Sequence, residues 1–397
     1  MRRAVPSRSA LRSPRSGAVL RRVLLVLTGL IVIFETVPRW VSIPGLTQME
    51  LKPPYLESSA QRAFAPHPYL LYAPKPNYGR AVDPEGPGAR SFQHGPLGFR
   101  APELALPKPE GVQRIACVGG SSTYGTGPSS DQATWPARLG ATLASDGLEE
   151  TVEVLNAGVP AWTSFECLTS LAFRVLPMAP DVVLFYLSTN DAESALWPDP
   201  VADNRHYRRV WPTFRPSPLE PSLERSVLYL AWRRYFTDYL EQRADLGFQS
   251  KRLPAGPAGE RLAGYKAPEV DGLLPEQGFE NFRRNLVSMV AITRAHGARP
   301  VLLTQALWSE DPNSDQLLDG ALRLRAHDRM TEVVREVAAT TEAPLIEAAE
   351  HLEAAARAQM DATGSQQVFS ANVHLTDEGA ERLASFLGRE LQRLGLL

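Results

Sequence analysis

The 397-residue chain holds two cysteines, Cys117 and Cys167, far too few for a disulfide scaffold. Cys117 lies in an apolar run that reads as an interior strand and Cys167 in the apolar stripe of a helix, so both read as small buried hydrophobes, with a single bridge between them the lesser reading. No H-E-x-x-H, paired C-x-x-C or carboxylate run at metal-ligand spacing occurs, and no metal is expected. A phosphate-binding fingerprint is missing too. The segment Gly119-Gly120-Ser121-Ser122-Thr123-Tyr124-Gly125 is followed by Thr126, where a Walker loop needs lysine, and it contains no G-x-G-x-x-G, so no nucleotide or other cofactor is expected. Basic surplus is absent from the body of the chain. The net charge is −2, but the first 22 residues hold seven arginines and no acid, so the remainder, with 35 basic against 44 acidic residues, carries −9. Without a stripe of interleaved basic and aromatic residues, an acidic body of this kind excludes nucleic acid as a partner. Charged residues at 22% and hydrophobic residues at 44% are those of a folding globular chain, which excludes a disordered, collagenous or multi-spanning protein. The length allows one large domain with insertions or two smaller ones.

Behind Arg2, Arg3, Arg8, Arg12, Arg15, Arg21 and Arg22 runs an uncharged apolar segment, residues 23–34, followed by Glu35 and Pro38. Twelve residues rise about 18 Å as a helix against a hydrocarbon core of roughly 30 Å, which taken strictly is the length of a signal peptide. Starting the span at Ala18, with Arg21 and Arg22 snorkelling to the cytoplasmic face and Trp40 at the outer interface, turns it into an anchor. No Ala-x-Ala cleavage site follows Phe34, so residues 1–38 are read as an uncleaved membrane anchor in preference to a cleaved signal, with a buried soluble helix third. Either of the first two places the remaining chain outside the cytoplasm, in the periplasm or beyond.

Residues 39–111 are rich in proline, glycine and aromatics without a sustained period, and read as a lead-in of loops and short strands. From residue 112 to 397 apolar runs of strand length, 114–118, 152–156, 181–187, 299–304 and 343–346, alternate with helical patterns, which predicts an α/β domain with a mostly parallel sheet and helices on both faces. Thr163-x-x-Glu166 is a capping box ahead of a stripe of Phe165, Leu168, Leu171, Ala172 and Val175. Phe279, Phe282, Leu286 and Met289 form the next stripe, in a helix that stops at Gly297. Ala380, Leu383, Leu387, Leu391 and Leu394 line a last helix opened by Asp377 and Glu378, whose charges suit the helix dipole. Residues 195–275 interrupt the alternation with Trp197, Tyr207, Trp211, Tyr229, Trp232, Tyr235, Phe236 and Tyr239, and 222–243 reads as helical; an insertion leaving the C-terminal end of a strand lies beside the usual ligand crevice of such sheets, so it reads as a lid or wall.

The Gly119–Gly125 segment follows the first strand directly and precedes a helix around residues 135–144, so its glycines let the chain turn sharply and present a hydroxyl at the sheet edge. The second strand ends in Leu155-Asn156-Ala157-Gly158 and the third in Leu187-Ser188-Thr189-Asn190-Asp191. If the strand order reverses beside the first strand, Ser121 and Asn190 are neighbours at the crevice. A glycine N–H and an asparagine amide are neutral donors suited to the negative oxygen that forms when a hydroxyl attacks an acyl carbon. Val373-His374-Leu375-Thr376-Asp377 sets a histidine on a loop before the last helix, where it can take the proton of a serine.

These four points, in this order and over roughly residues 112–394, resemble the SGNH (GDSL-like) hydrolase superfamily. The resemblance implies a three-layer sandwich around a flavodoxin-like five-stranded sheet, Ser121 as nucleophile, His374 as base, and Ser121 N–H, Gly158 and Asn190 as the oxyanion hole. The substrate it implies is an ester, an O-acyl group on a carbohydrate or cell-envelope polymer. Two positions depart from the pattern. Gly120 stands where the family has the aspartate of G-D-S, and Ala371 stands three residues before His374, where the family carries its catalytic acid. The second departure leaves three readings of the proton relay: a Ser–His pair oriented by Ser370, Asn372 or a backbone carbonyl; a carboxylate from elsewhere, such as Asp191, Asp361 or Asp377; or a retired site. It correspondingly leaves an O-acyltransferase and a non-catalytic glycan-binding module beside the esterase. His296 reads as a helix-end cation, His327 and His351 as surface positions on helices, and His94 as a structural turn residue in preference to one that touches the site; Asp181 and Glu347 read as hydrogen bonders at strand ends.

Overall fold

The computed structural model describes residues 14–41, 43, 63–67, 69–82, 90–100, 104–145, 151–196, 200–204, 206–207, 220–223, 225–232, 274–309 and 318–397. The chain divides into two compact units, one of Met1–Arg62 with Arg215–Leu246, the other of Ala63–Phe214 with Gly247–Leu397.

In the first unit, a helix spans Pro14–Trp40, and most of its apolar side chains, from Val19 to Ile33, are exposed. Near its C-terminal end Phe34 packs against Val227, Leu230 and Ala231 of a short helix, Val227–Trp232. The Glu35 carboxylate accepts hydrogen bonds from the N–H groups of Val227 (2.9 Å) and Leu228 (3.1 Å) and from the Ser226 hydroxyl, so it caps that helix. Among the described residues no helix is long and apolar enough to cross a membrane, which leaves the expected anchor without a spanning helix. The physical reason lies in the charges: only twelve residues separate Arg22 from Glu35. The expected helix at 222–243 is seen as Glu220–Leu223 and Val227–Trp232, and the aromatic residues Trp197, Trp211, Tyr235, Phe236 and Tyr239 lie outside the described residues.

The second unit is built on a five-stranded parallel sheet. Its strands are β1 (Val112–Gly119), β2 (Thr151–Asn156), β3 (Val182–Tyr186), β4 (Arg299–Leu303) and β5 (Leu345–Ile346), in the order β2-β1-β3-β4-β5. The order reverses beside β1, as expected. All five strands lie where the apolar runs predict, most of them trimmed or extended at their ends. Every residue of β3 is buried, as a strand covered on both faces must be.

Helices α1 (Ser121–Tyr124), α2 (Trp135–Ser145), α3 (Ser164–Ser170), α4 (Thr189–Ala195), α5 (Glu276–Ala295), α6 (Leu318–Thr341), α7 (Ala348–Thr363) and α8 (Asp377–Arg393) complete the layers. The two-residue period of the strands sorts the core. Ile115, Cys117, Leu184 and Tyr186 face Leu139, Leu352, Leu383 and Leu387, whereas Ala116, Val118, Val183 and Phe185 face Cys167, Phe282, Met289 and Met330. Cys117 and Cys167 are both buried, on opposite sides of the sheet, and no disulfide joins them. The capping box is present, Glu166 Oε2 accepting from Thr163 N at 2.8 Å. Helix α3 continues into a π turn, Leu171–Val175, that turns Leu171 and Val175 inward and leaves Phe173 exposed.

Two hairpins, Phe64–His67 with Leu71–Pro74 and Gly79–Val82 with Arg90–Gln93, precede the sheet in sequence. They pack onto the domain: Phe64, Leu70, Phe92, Phe99 and Leu104 are buried in the same core as Val118 and Leu171.

Candidate active site

The C-terminal edge of the sheet gathers the residues singled out above. Strand β1 ends at Gly119, and Ser121 opens α1 after the single residue Gly120. His374 opens β7 (His374–Leu375), which pairs antiparallel with β6 (Phe369–Ala371) just before α8. The His374 Nε2 lies 2.8 Å from the Ser121 Oγ, across 253 positions of sequence. Both side chains are half-buried, so the pair is reachable from solvent while Ser122, Thr123 and Tyr124 behind it are buried.

Asn190, in the first turn of α4, donates from Nδ2 to the Trp162 carbonyl at 2.7 Å. The same Nδ2 is 2.6 Å from where a Cβ on Gly120 would stand, which places the amide against the residue before Ser121. Gly158 lies behind α1. A Cβ there would stand 2.3 Å from Tyr124 N and 2.7 Å from Thr123 C, so only glycine lets the end of β2 close on α1. Its N–H is held by Asn156 Oδ1 at 3.0 Å. The structure thus brings Ser121, His374 and Asn190 to one edge, with Gly158 packed behind them and its N–H already occupied.

Ala371 is the cross-strand partner of His374 in the β6–β7 hairpin. The family's position for the acid therefore lies directly opposite the imidazole but carries a methyl group. The three carboxylates considered as replacements are placed as follows. Asp191 accepts from Ser164 N (2.9 Å) and Ser164 Oγ (2.6 Å), Asp377 from Ser129 N (2.7 Å) and Ser129 Oγ, and Asp361 is exposed on α7. Ser370 and Asn372 act on the loop's backbone: Ser370 Oγ donates to His374 O at 3.1 Å, and Asn372 O accepts from Trp308 N at 2.7 Å. Trp308 also stacks on Phe369, with ring centroids 6.0 Å apart.

Two residues around the site, Gln305 and Arg100, had no part in the sequence reading. Gln305, just past β4, is 4% exposed and accepts from Thr189 N while donating to Ser122 Oγ. Its position at the carboxyl end of a strand was the available signal. Arg100, its side chain 3% exposed, pairs with Asp131 at 2.7 Å and donates to the Tyr124 carbonyl at 3.0 Å, holding the C-terminal end of α1. His94 is a structural residue as expected, and it reaches α1: its Nε2 is 2.9 Å from the Tyr124 hydroxyl, and burial lowers its pKa to about 4.

His327 is not a surface residue. It is 5% exposed, its Nε2 is 3.3 Å from Ser188 Oγ, and burial lowers its pKa to about 4. His351 is half-buried, its ring stacked 4.1 Å from that of Phe386, and its pKa is likewise lowered by burial. His296 follows the last turn of α5. Asp181 is the strand-end hydrogen bonder expected, accepting from Arg114 N and Lys108 Nζ, and Glu347 pairs with Arg335. Among the described residues no cluster of His, Cys, Asp or Glu is arranged to hold a metal ion.

A hydroxyl in contact with an imidazole, beside a neutral amide and a helix N-terminus, is equipped to attack an acyl carbon and to stabilise the oxygen that becomes negative. A search of curated proteins returned no match. Solved structures similar to this chain include a lipase/acylhydrolase from Enterococcus faecalis (18% identity, 71% of this chain and 96% of that one, TM-score 0.40). Others are the acetyl xylan esterase AlAXEase (13%, 70% and 99%, TM-score 0.41) and Axe2, an acetylxylan esterase from Geobacillus stearothermophilus (15%, 70% and 94%, TM-score 0.40). The model of the GDSL-like lipase/acylhydrolase family matches residues 117–382, from the middle of β1 to within α8, and the chain is a member of that family and an ester-hydrolysing enzyme.

Proposed function

We propose that this protein is an exported serine esterase that removes an O-acyl group, acetyl foremost, from a carbohydrate or other cell-envelope substrate. The observation that carries the reading is the 2.8 Å approach of His374 Nε2 to Ser121 Oγ. Ser121 Oγ attacks the acyl carbon and passes its proton to His374. The tetrahedral oxygen is met by Asn190 Nδ2 and by the N–H of Ser121, one of the first N–H groups of α1, which have no partner within the helix. Gly158 joins that hole only when Asn156 releases its N–H. Collapse expels the alcohol, which takes the proton from His374; water, deprotonated by the same imidazole, then cleaves acyl-Ser121 to the free acid. The acetyl group and the carbohydrate are supported by the names of structurally similar proteins alone, and export by the seven arginines that precede the apolar run.

The test is hydrolysis of p-nitrophenyl acetate and of acetylated xylooligosaccharides by the full-length chain. Ser121→Ala and His374→Ala are each expected to remove turnover, and parental activity in Ser121→Ala would refute the nucleophile. Turnover that depends on an added sugar acceptor would replace the hydrolase with a transferase built on the same residues. Export is tested by fusing alkaline phosphatase after residue 62; a fusion active only in lysed cells would refute it.

A further inference from the structure

We propose that Gln305 and Ser122 are positioning residues that hold His374 against Ser121 through the backbone of the histidine loop. The proposal rests on the reading of Ser121 and His374 as nucleophile and base.

One buried amide ties together three segments that come from different strand ends. The Gln305 carbonyl oxygen accepts from Thr189 N (3.0 Å), Thr189 Oγ1 (3.1 Å) and Ser188 Oγ (3.2 Å), all in the turn that leads to Asn190. Its Nε2 donates to Ser122 Oγ at 3.1 Å, beside the nucleophile. Ser122 Oγ donates in turn to the Val373 carbonyl at 2.7 Å, next to His374. A hydroxyl has one proton, and because Ser122 receives a hydrogen bond from Gln305, that proton is directed to Val373. Ser122, Ser188 and Gln305 are all buried, so each bond is made in a low-dielectric interior where a broken member is costly. An amide suits this place because it gives from one end and receives at the other; a carboxylate can only receive.

The chain has a reason to use such a clamp. Position 371, opposite the imidazole, offers no carboxylate, and the backbone of the histidine loop is gripped at successive carbonyls: Asn372 by Trp308, Val373 by Ser122 and His374 by Ser370. Fixing the carbonyl before His374 fixes where its side chain starts, and the imidazole must reach its partner to within a few tenths of an ångström.

The test is a cycle of Ser122→Ala and Gln305→Leu, each made in the parent and in Ala371→Asp, with kcat, KM and the pH profile measured on p-nitrophenyl acetate. Ser122→Ala removes one oxygen and is expected to keep the near-ultraviolet circular dichroism of the parent. Its kcat is expected to fall about tenfold with KM changed less than about twofold. In Ala371→Asp, where a carboxylate can steer the ring, the same substitution is expected to cost less than about threefold. Equal losses in the two backgrounds would assign Ser122 a merely structural role and overturn the proposal, as would parental kcat in Ser122→Ala. Ser121→Ala separates this from the site reading: if it retains turnover, both fall; if it is inactive while Ser122→Ala matches the parent, only the clamp falls. Should the parent turn over too slowly to measure, the same comparisons are made on the rate at which a fluorophosphonate labels Ser121.

Discussion

Replacing Gly120 by alanine is expected to impair catalysis while sparing stability, and the geometry says why. Gly120 sits at φ −88°, so a methyl group brings no left-handed strain. What the methyl meets is the Asn190 Nδ2, 2.6 Å away, against an ordinary contact of 3.4 Å or more. The amide must withdraw by close to 1 Å, and withdrawal stretches its bond to the Trp162 carbonyl, now 2.7 Å. The atom met is the far end of a half-buried side chain and not backbone, so the stability cost is that of one strained hydrogen bond, about 1 kcal/mol. An oxyanion donor moved by that distance is worth much more in rate: removing one costs about 10²–10³ in kcat. Steady-state kinetics on p-nitrophenyl acetate are therefore expected to show kcat about 10²-fold down with urea unfolding nearly unchanged. If the methyl acts through the amide, adding Gly120→Ala to Asn190→Ala should cost little more than Asn190→Ala alone. A kcat in Gly120→Ala equal to the parent's, or losses that simply add in the double variant, would refute the reasoning.

Other expectations follow from the same geometry. Ala371→Asp places a carboxylate directly across from His374, where cross-strand Cβ atoms stand about 5 Å apart; in so exposed a setting the attraction is worth about 1–2 kcal/mol, so kcat/KM should rise about tenfold and its acidic limb move to higher pH, an effect that 0.5 M salt should shrink. Gly158→Ala drives a methyl into the backbone of Thr123 and Tyr124, which cannot swing aside, and is expected to destabilise the fold by about 3 kcal/mol or more, read as a lowered urea midpoint. Acid should weaken the fold through His94 and His327, whose native pKa of about 4 lies below the 6.5 of an unfolded chain: their contribution is whole above pH 6.5, and falls as the pH drops from 6.5 toward 4 because the unfolded state takes up protons first. Urea unfolding at pH 7.5 and 4.5 should differ by about 2–3 kcal/mol per imidazole, and His94→Gln should remove one such increment.

The sheet was legible because parallel strands covered on both faces leave unbroken apolar runs, and each of the five runs became a strand. The Ser121–His374 pairing was legible through the order of short motifs, since no periodicity connects residues 253 positions apart. His327 carries a signal in its period and not in its polarity: with Met330, Val334 and Val337 it follows helical spacing, and all four are buried. The lead-in hairpins gave no period because four-residue strands are too short to display one, although their aromatic residues fill the core. Gln305 offered only its place after a strand as a signal, and a lone amide there acquires meaning only from the turns at Thr189 and Ser122 folded around it. Gly120 shows how the two levels join. As sequence it is a missing aspartate, a loss; in the folded chain the Asn190 amide stands 2.6 Å from the place a side chain would take, so the absent Cβ makes room for the group proposed above as an oxyanion donor. A departure from a motif is therefore judged by what fills the vacated space, and that requires the neighbour, not the motif.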